Sequence, residues 1–155
     1  MPSNIEQLEA LIVAQLKTVS YLAPNAGGTV RGVADIKTFL DLTTLEPPTA
    51  IVVFDGEKAG KDETIGRVTQ QTTWYWTLYL VASSFGTDGE GRLGATGAYQ
   101  MVDDVVAALE GFTLTIPPDS NTTKLIYIGA ARFNVEDTAV IYEVRFRHQF
   151  LRQGP

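Results

Sequence analysis

The chain has 155 residues, 45% of them hydrophobic and 19% charged, with a net charge of −6 and no cysteine. That length supports one domain, residues 1–155, with a core that needs no disulfide or metal staple, and the composition suits a folded rather than a disordered chain. The missing thiols exclude a cysteine nucleophile and a zinc knuckle, and the acidic balance argues against general nucleic-acid binding, which depends on Lys- and Arg-rich surfaces.

The opening MPSNIEQLEA lacks the charged start and apolar run of a signal peptide. No apolar run nears the ~18 residues of a membrane span, so a soluble, intracellular protein with no membrane partner is expected. The charge is uneven. Residues 124–155 hold Lys124, Arg132, Arg145, Arg147 and Arg152 against Glu136, Asp137 and Glu143, a net +2, which leaves −8 on residues 1–123. One acidic and one mildly basic region can stack on copies of the same chain or on complementary partners. A scatter of surface charge with no role explains the pattern equally well.

Ser3-Asn-Ile-Glu6 has the spacing at which Ser3 caps a helix and Glu6 reaches back. Ile5, Leu8, Ile12, Leu16 and Val19 then share one stripe, predicting an amphipathic helix over Ser3–Thr18. Ser20–Val33 is punctuated by Pro24, Asn25, Gly27 and Gly28 and reads as a short strand and a flexible loop. Ala34–Leu42 has two helical turns that would bury Ile36, Phe39 and Leu40, and Pro47-Pro48 end the segment before them. Ala50–Phe54 is a continuous apolar run of strand length, stopped by Asp55-Gly56, and reads as a strand buried on both faces. Glu57–Glu63 reads as a mobile, charged loop, and Ile65–Gln71 as an extended lead into the central strand.

The centre of the chain is Thr72–Gly111. Thr72–Ser84 alternates Trp74, Trp76, Leu78 and Leu80 with Tyr75, Thr77, Tyr79 and Val81, the pattern of a long strand. Phe85–Thr96 is a glycine-studded loop. Gly97–Glu110 places Ala98, Met101, Val102, Val105 and Leu109 on one helical stripe, and Gly111 stands where a left-handed C-terminal cap belongs. Phe112–Ile116 then reads as a short strand closed by Pro117-Pro118. Lys124–Val135 and Ala139–Phe150 form a strand pair meeting at Glu136-Asp137-Thr138. In the last strand Tyr142, Val144, Phe146, His148 and Phe150 alternate with Ile141, Glu143, Arg145, Arg147 and Gln149, giving one apolar and one mostly charged face. The order predicts an α+β fold: a mainly antiparallel β-sheet with two principal α-helices packed on one face.

Gly89-Glu-Gly91-Arg-Leu-Gly94 is a literal G-x-G-x-x-G between strand and helix, the pattern with which dinucleotide folds bring backbone amides to a pyrophosphate. Against that reading, Gly86 and Gly97 extend the spacing, the helix begins near Gly97, and no second βαβ unit follows. A lone glycine pattern is weak, and a loop that orders against a partner is the better account. Asp103 and Asp104 are adjacent on a helix and point about 100° apart, so they cannot share a proton as a dyad; they belong to a solvated or interface surface. His148 is the only histidine, which rules out a histidine-based triad or multi-histidine metal site within one chain, and it reads as a half-buried structural residue. Asn121-Thr-Thr123 matches a glycosylation pattern without a secretion signal to support it. Trp74, Tyr75, Trp76 and Tyr79 suit core and subunit contacts better than base stacking. No catalytic residues, metal ligands or cofactor site emerge.

Several blocks together carry a resemblance: IEQLEALIVAQLK, PPTAIVVFDG, WYWTLYLVASS, RLGATGAYQMVDDVVAAL with its Gly97-Ala98-Tyr99 helix start, and the closing VIYEVRFRHQF. From about Ile5 to Phe150 the chain resembles the Mu-like phage tail terminator family of contractile-tailed phages and related prophages. The resemblance implies an α+β subunit of a hexameric ring on the last ring of the tail tube. That ring would end tube growth, hold the first sheath ring and offer a surface to head-completion or neck proteins. It would sit at the head-proximal end of the virion tail, assembled in the host cytoplasm, with DNA passing through but no specific nucleic-acid binding and no cofactor. A neck connector, a tube-like subunit and a nucleotide-binding domain remain as alternatives. Tube subunits usually need a long hairpin, for which Glu57–Glu63 looks short. Ring closure requires two complementary head-to-tail surfaces. Exposure and charge nominate Lys58, Lys61, Asp88, Glu90, Arg92, Asp103, Asp104, Arg132, Arg145, Arg147 and Arg152 for them.

Overall fold

The computed structural model describes residues 4–23, 28–32, 48–62, 69–83, 97–116, 121–135 and 139–153, with backbone alone for 61–62, 69–70, 83, 116, 121–122, 134–135, 139 and 151–153. Helix α1 spans Asn4–Leu16 and buries Leu8, Ile12 and Leu16, which recur every fourth residue and so stack on one face. A 3-10 turn, Ser20–Leu22, follows. Strands β1 (Thr29–Gly32), β2 (Thr49–Asp62) and β3 (Thr69–Ser83) precede helix α2 (Ala98–Leu109), and β4 (Thr113–Ile116), β5 (Asn121–Lys124), β6 (Ile126–Val135) and β7 (Ala139–Gln153) complete the order. Five strands form one sheet in the order β1-β2-β3-β7-β6, and β4-β5 form a separate two-stranded ladder. Among the described residues all strand pairs are antiparallel except β1 with β2.

Both helices cover one face of this sheet. Leu8, Ile12 and Leu16 of α1 and Met101, Val105 and Leu109 of α2 join Trp76, Leu78 and Leu80 of β3 and Val144 and Phe146 of β7 in one core. Alternation in β3 therefore does what its pattern predicts: Trp74, Trp76, Leu78 and Leu80 point at the helices and are buried. The far face has a smaller apolar cluster of Ile51, Val81 and Ile141, packed by Val53, Tyr79 and Phe133. Ala50, Ile51 and Val52 are all buried, as expected of a strand covered on both sides. Helix α2 stops at Gly111, whose φ of +75° is the left-handed turn that glycine tolerates. Its amide donates to the Leu125 carbonyl at 2.9 Å, tying the helix end to the start of β6.

Four expectations are corrected. Glu57–Asp62 is not a loop but the second half of β2, paired with β3 from Glu57↔Trp74 to Asp62↔Gln70. The strand passes Asp55-Gly56 through a bulge, and Gly56 at φ +146° absorbs the kink that a side chain would resist. The β2–β3 hairpin is consequently long, which removes the objection to a tube-like subunit. Lys124–Val135 is not one strand: Lys124 ends β5, pairing with Thr113, and Ile126 starts β6 against Arg147. His148 is fully rather than half buried, because β3 and β7 bring Trp74 and Trp76 against it. The Ser3 cap, the Ala34–Leu42 turns, the Phe85–Thr96 loop with its glycine motif, and the Glu136-Asp137-Thr138 turn lie outside the described residues.

Candidate functional site

Cross-strand partners share a face, so the register assigns the nominated charges to sides of the sheet. Trp74 and Trp76 point at the helices; the residues between them point away. Arg145 pairs with Thr77, Arg147 with Tyr75, and Lys58 with Thr73, which puts all three cations on the face away from the helices. Lys58 and Arg145 are exposed and Arg147 is half-buried. Gln149 stands on the same face, donating to Thr73 Oγ1 at 3.3 Å and accepting from Gln71 Nε2 at 3.1 Å.

The two aspartates lie on α2, on the opposite side of the molecule from those cations. Asp103 is exposed. Asp104 is half-buried and already engaged: it accepts the Tyr21 hydroxyl at 2.8 Å and Gln100 Nε2 at 2.8 Å. Burial, then the Asp104 carboxylate, push the Tyr21 phenol well up from its ordinary value, so this bond stays intact at physiological pH and ties the 3-10 turn to α2. Arg145 is similarly partnered, donating to Glu143 at 2.8 Å with its own side chain 55% exposed. An exposed pair of this kind contributes about 0–1 kcal/mol. Lys61 and Arg152 are in β2 and β7 with only their backbones described, and Asp88, Glu90 and Arg92 lie outside the described residues.

Arg132 stands apart from the other cations. It pairs with Tyr142 on the helix side of β6 and is exposed. Tyr142 in turn meets Tyr99 of α2 edge-on, with ring centroids 6.0 Å apart. Strand β6 is the edge of the sheet, and it carries Ile126 and Ile128, each 43% exposed. Tyr99 is 46% exposed and Leu11 39%, so three of the four exposed large hydrophobics among the described residues lie on or beside β6. The sequence reasoning missed this edge. Its only signal was the Gly129-Ala-Ala131 run, which lacks the bulk a central strand uses to fill a core.

The single histidine has a structural role. Trp76 Nε1–H donates to His148 Nε2 at 3.0 Å, which fixes the ring proton on Nδ1. Burial lowers the imidazole pKa to about 4. Thr72 Oγ1, Trp74 Nε1 and His148 Nδ1 are buried without a hydrogen-bond partner. Among the described residues no group of three His, Asp or Glu side chains could hold a metal ion, and no helix is long and apolar enough to cross a membrane. Helix α2 begins at Ala98, beyond the glycine motif, and the next strand, β4, leaves for a separate antiparallel ladder. That connectivity differs from the parallel βαβ unit a dinucleotide site uses.

The family model described as phage tail terminator protein matches residues 9–154. The chain belongs to the phage tail terminator family. Among solved structures, a chain from the "Virion of native gene transfer agent (GTA) particle" superposes with a TM-score of 0.50 at 16% identity, covering 92% of each chain. At that identity the likeness speaks for the fold alone. A search of curated protein sequences gives no match.

Proposed function

We propose that this chain is a structural subunit of a phage tail: copies assemble head to tail into a hexameric ring that caps the tail tube, ends its growth and joins tube and sheath to the neck. It acts as one domain, at the head-proximal end of the virion, after assembly in the host cytoplasm, and its role is adhesive rather than catalytic. Family membership over nearly the whole chain carries this proposal. Two features of the protomer support it. The cations Lys58, Arg145 and Arg147 and the carboxylate Asp103 lie on opposite sides of a two-layer body, which suits a contact between unlike surfaces rather than a two-fold one. The exposed isoleucines of β6 add apolar area at one edge. The long β2–β3 hairpin favours, as a second reading, a tube-like subunit that stacks into further rings instead of ending the stack.

Mass photometry and negative-stain imaging of the purified protein, with and without tail tubes, test the proposal. A terminator gives single rings, free or on one end of each tube, and its loss gives overlong tubes. Stacks of rings would favour the tube-like reading, and protein that stays monomeric even with tubes present would defeat both.

A further inference from the structure

Among the described residues the main sheet has two open edges, β1 and β6, at opposite ends of its order. Their directions are fixed by the pairing between them: β1 runs with β2, β3 against it, β7 with it and β6 against it. If a second copy is placed beside the first with its helices on the same side, its β1 meets β6 of the first in antiparallel orientation, the more stable ladder. The lengths also agree. Strand β6 has irregularities between Tyr127 and Gly129 and between Arg132 and Asn134, leaving Gly129–Arg132 as a regular stretch of four residues. Strand β1 has four, Thr29–Gly32, and the register that keeps the faces matched pairs three of them: Arg132 with Val30, Ala131 with Arg31 and Ala130 with Gly32. Ala130 and Ala131 are small and exposed, so a neighbouring strand can approach them closely.

Charge selects the same partner. Arg132 is exposed at the β6 edge on the helix side. At the β1 edge, also on the helix side, the Glu9 carboxylate of α1 lies over Gly32, where an added Cβ would collide with it. Gly32 pairs with Val52 and Val30 with Ala50, both core residues under the helices, so Val30 and Gly32 share the face of Arg132. Burial and the neighbouring Glu6 raise the Glu9 pKa, as expected of a carboxylate that would gain from a cation.

We infer that subunits join through this edge: Ala130–Arg132 of one copy adds to Val30–Gly32 of the next as an antiparallel strand pair, Arg132 opposite Val30 and Ala130 opposite Gly32, which sets Arg132 on the diagonal from Gly32, within reach of the Glu9 carboxylate above it. The inference rests on the proposed head-to-tail ring and names the surfaces that close it. A two-fold β6–β6 joint would also run antiparallel, but it would turn Arg132 toward its own copy.

A charge swap in the full chain tests it, with assembly followed by mass photometry and folding by near-ultraviolet circular dichroism. Arg132→Glu and Glu9→Arg should each raise the protein concentration needed for assembly by about tenfold or more while leaving the fold intact. The double variant should return it close to the parent value. Single variants that assemble like the parent, or a double variant that stays dissociated, would overturn the joint while leaving the ring itself standing. Discrete two-fold dimers would overturn it too. A parent protein that never assembles, even on tube ends, would remove both the ring and the joint.

Discussion

Strands β3 and β6 are the two neighbours of β7, and they share a partner: Trp76 and Tyr127 both pair with Phe146, from opposite sides. Both strands are rich in apolar residues, yet their fates differ. In β3, Trp76, Leu78 and Leu80 lose all exposure under the helices, with a strand on each side. In β6, Ile126, on the face away from the helices with its partner Arg147, and Ile128, at the bulge, keep 43% of theirs at the edge of the sheet. Apolar content makes a residue suitable for burial; position in the sheet order decides whether its own chain provides it. The interior pair β3–β7 accordingly serves folding, and the proposed association draws on the edge.

The sharpest way to break this division is to damage the interior. Met101→Asp places an unpaired charge in the core between α2 and the sheet and should cost about 4 kcal/mol or more, most of the stability of a domain at the low end of the ordinary range. Urea unfolding by circular dichroism would show it, and a variant with near-parent stability would contradict the assigned core. The next effect comes from His148. Its folded pKa, about 4, lies below the ordinary 6.5, so the unfolded chain binds the extra proton first as pH falls. The associated stability is complete above pH 6.5 and is lost as pH drops from there toward 4. A shift of that size corresponds to on the order of 3 kcal/mol. Thermal melts across this window should fall steeply for the parent and much less for His148→Phe. That variant also leaves Trp76 Nε1–H without its acceptor, at a constant cost of about 1–3 kcal/mol.

Substitutions at the edge should separate the two regions cleanly. Ile126→Lys with Ile128→Lys should move folding stability by only about 0.5 kcal/mol per site while weakening self-association, read by mass photometry. A large loss of stability would mean that β6 belongs functionally with the interior. The smallest folding effect is expected for Arg145→Glu with Arg147→Glu, since the Arg145–Glu143 pair is exposed and contributes about 0–1 kcal/mol. That pair of changes should leave the melting curve nearly intact and block assembly. Unchanged tail length and infectivity would take both residues out of the interface.

Much of this molecule is readable from periodicity. The stripe Leu8, Ile12, Leu16, the stripe Met101, Val105, Leu109 and the alternation of β3 and β7 each identify an element and its buried face, because helices and strands present side chains at fixed intervals. Gly111 marks a helix end because few other residues adopt its backbone angle. The charged segment after Asp55 is misread for an equally local reason: polar residues resemble a loop unless the partner strand that pairs with them is known, and here that partner is β3. Lys124 is assigned to the wrong strand because its ladder partner, Thr113, is supplied by β4 rather than by its own hairpin.

Of the candidate interface residues, charge alone nominated Arg132, Arg145 and Arg147 as equals. Pairing separates them, sending Arg132 to the helix side of an open edge and the other two to the far face. Nothing in the sequence marks Glu9; only the packing of α1 over β1 brings its carboxylate to Gly32. The amino-acid sequence by itself determined the two helices, the long strands and the buried stripe of each, since these follow from contacts a few residues apart. Only the tertiary structure decided which strand stands at an edge and which charges meet on one face. Those depend on strands brought together from distant parts of the chain, and no local pattern encodes their order.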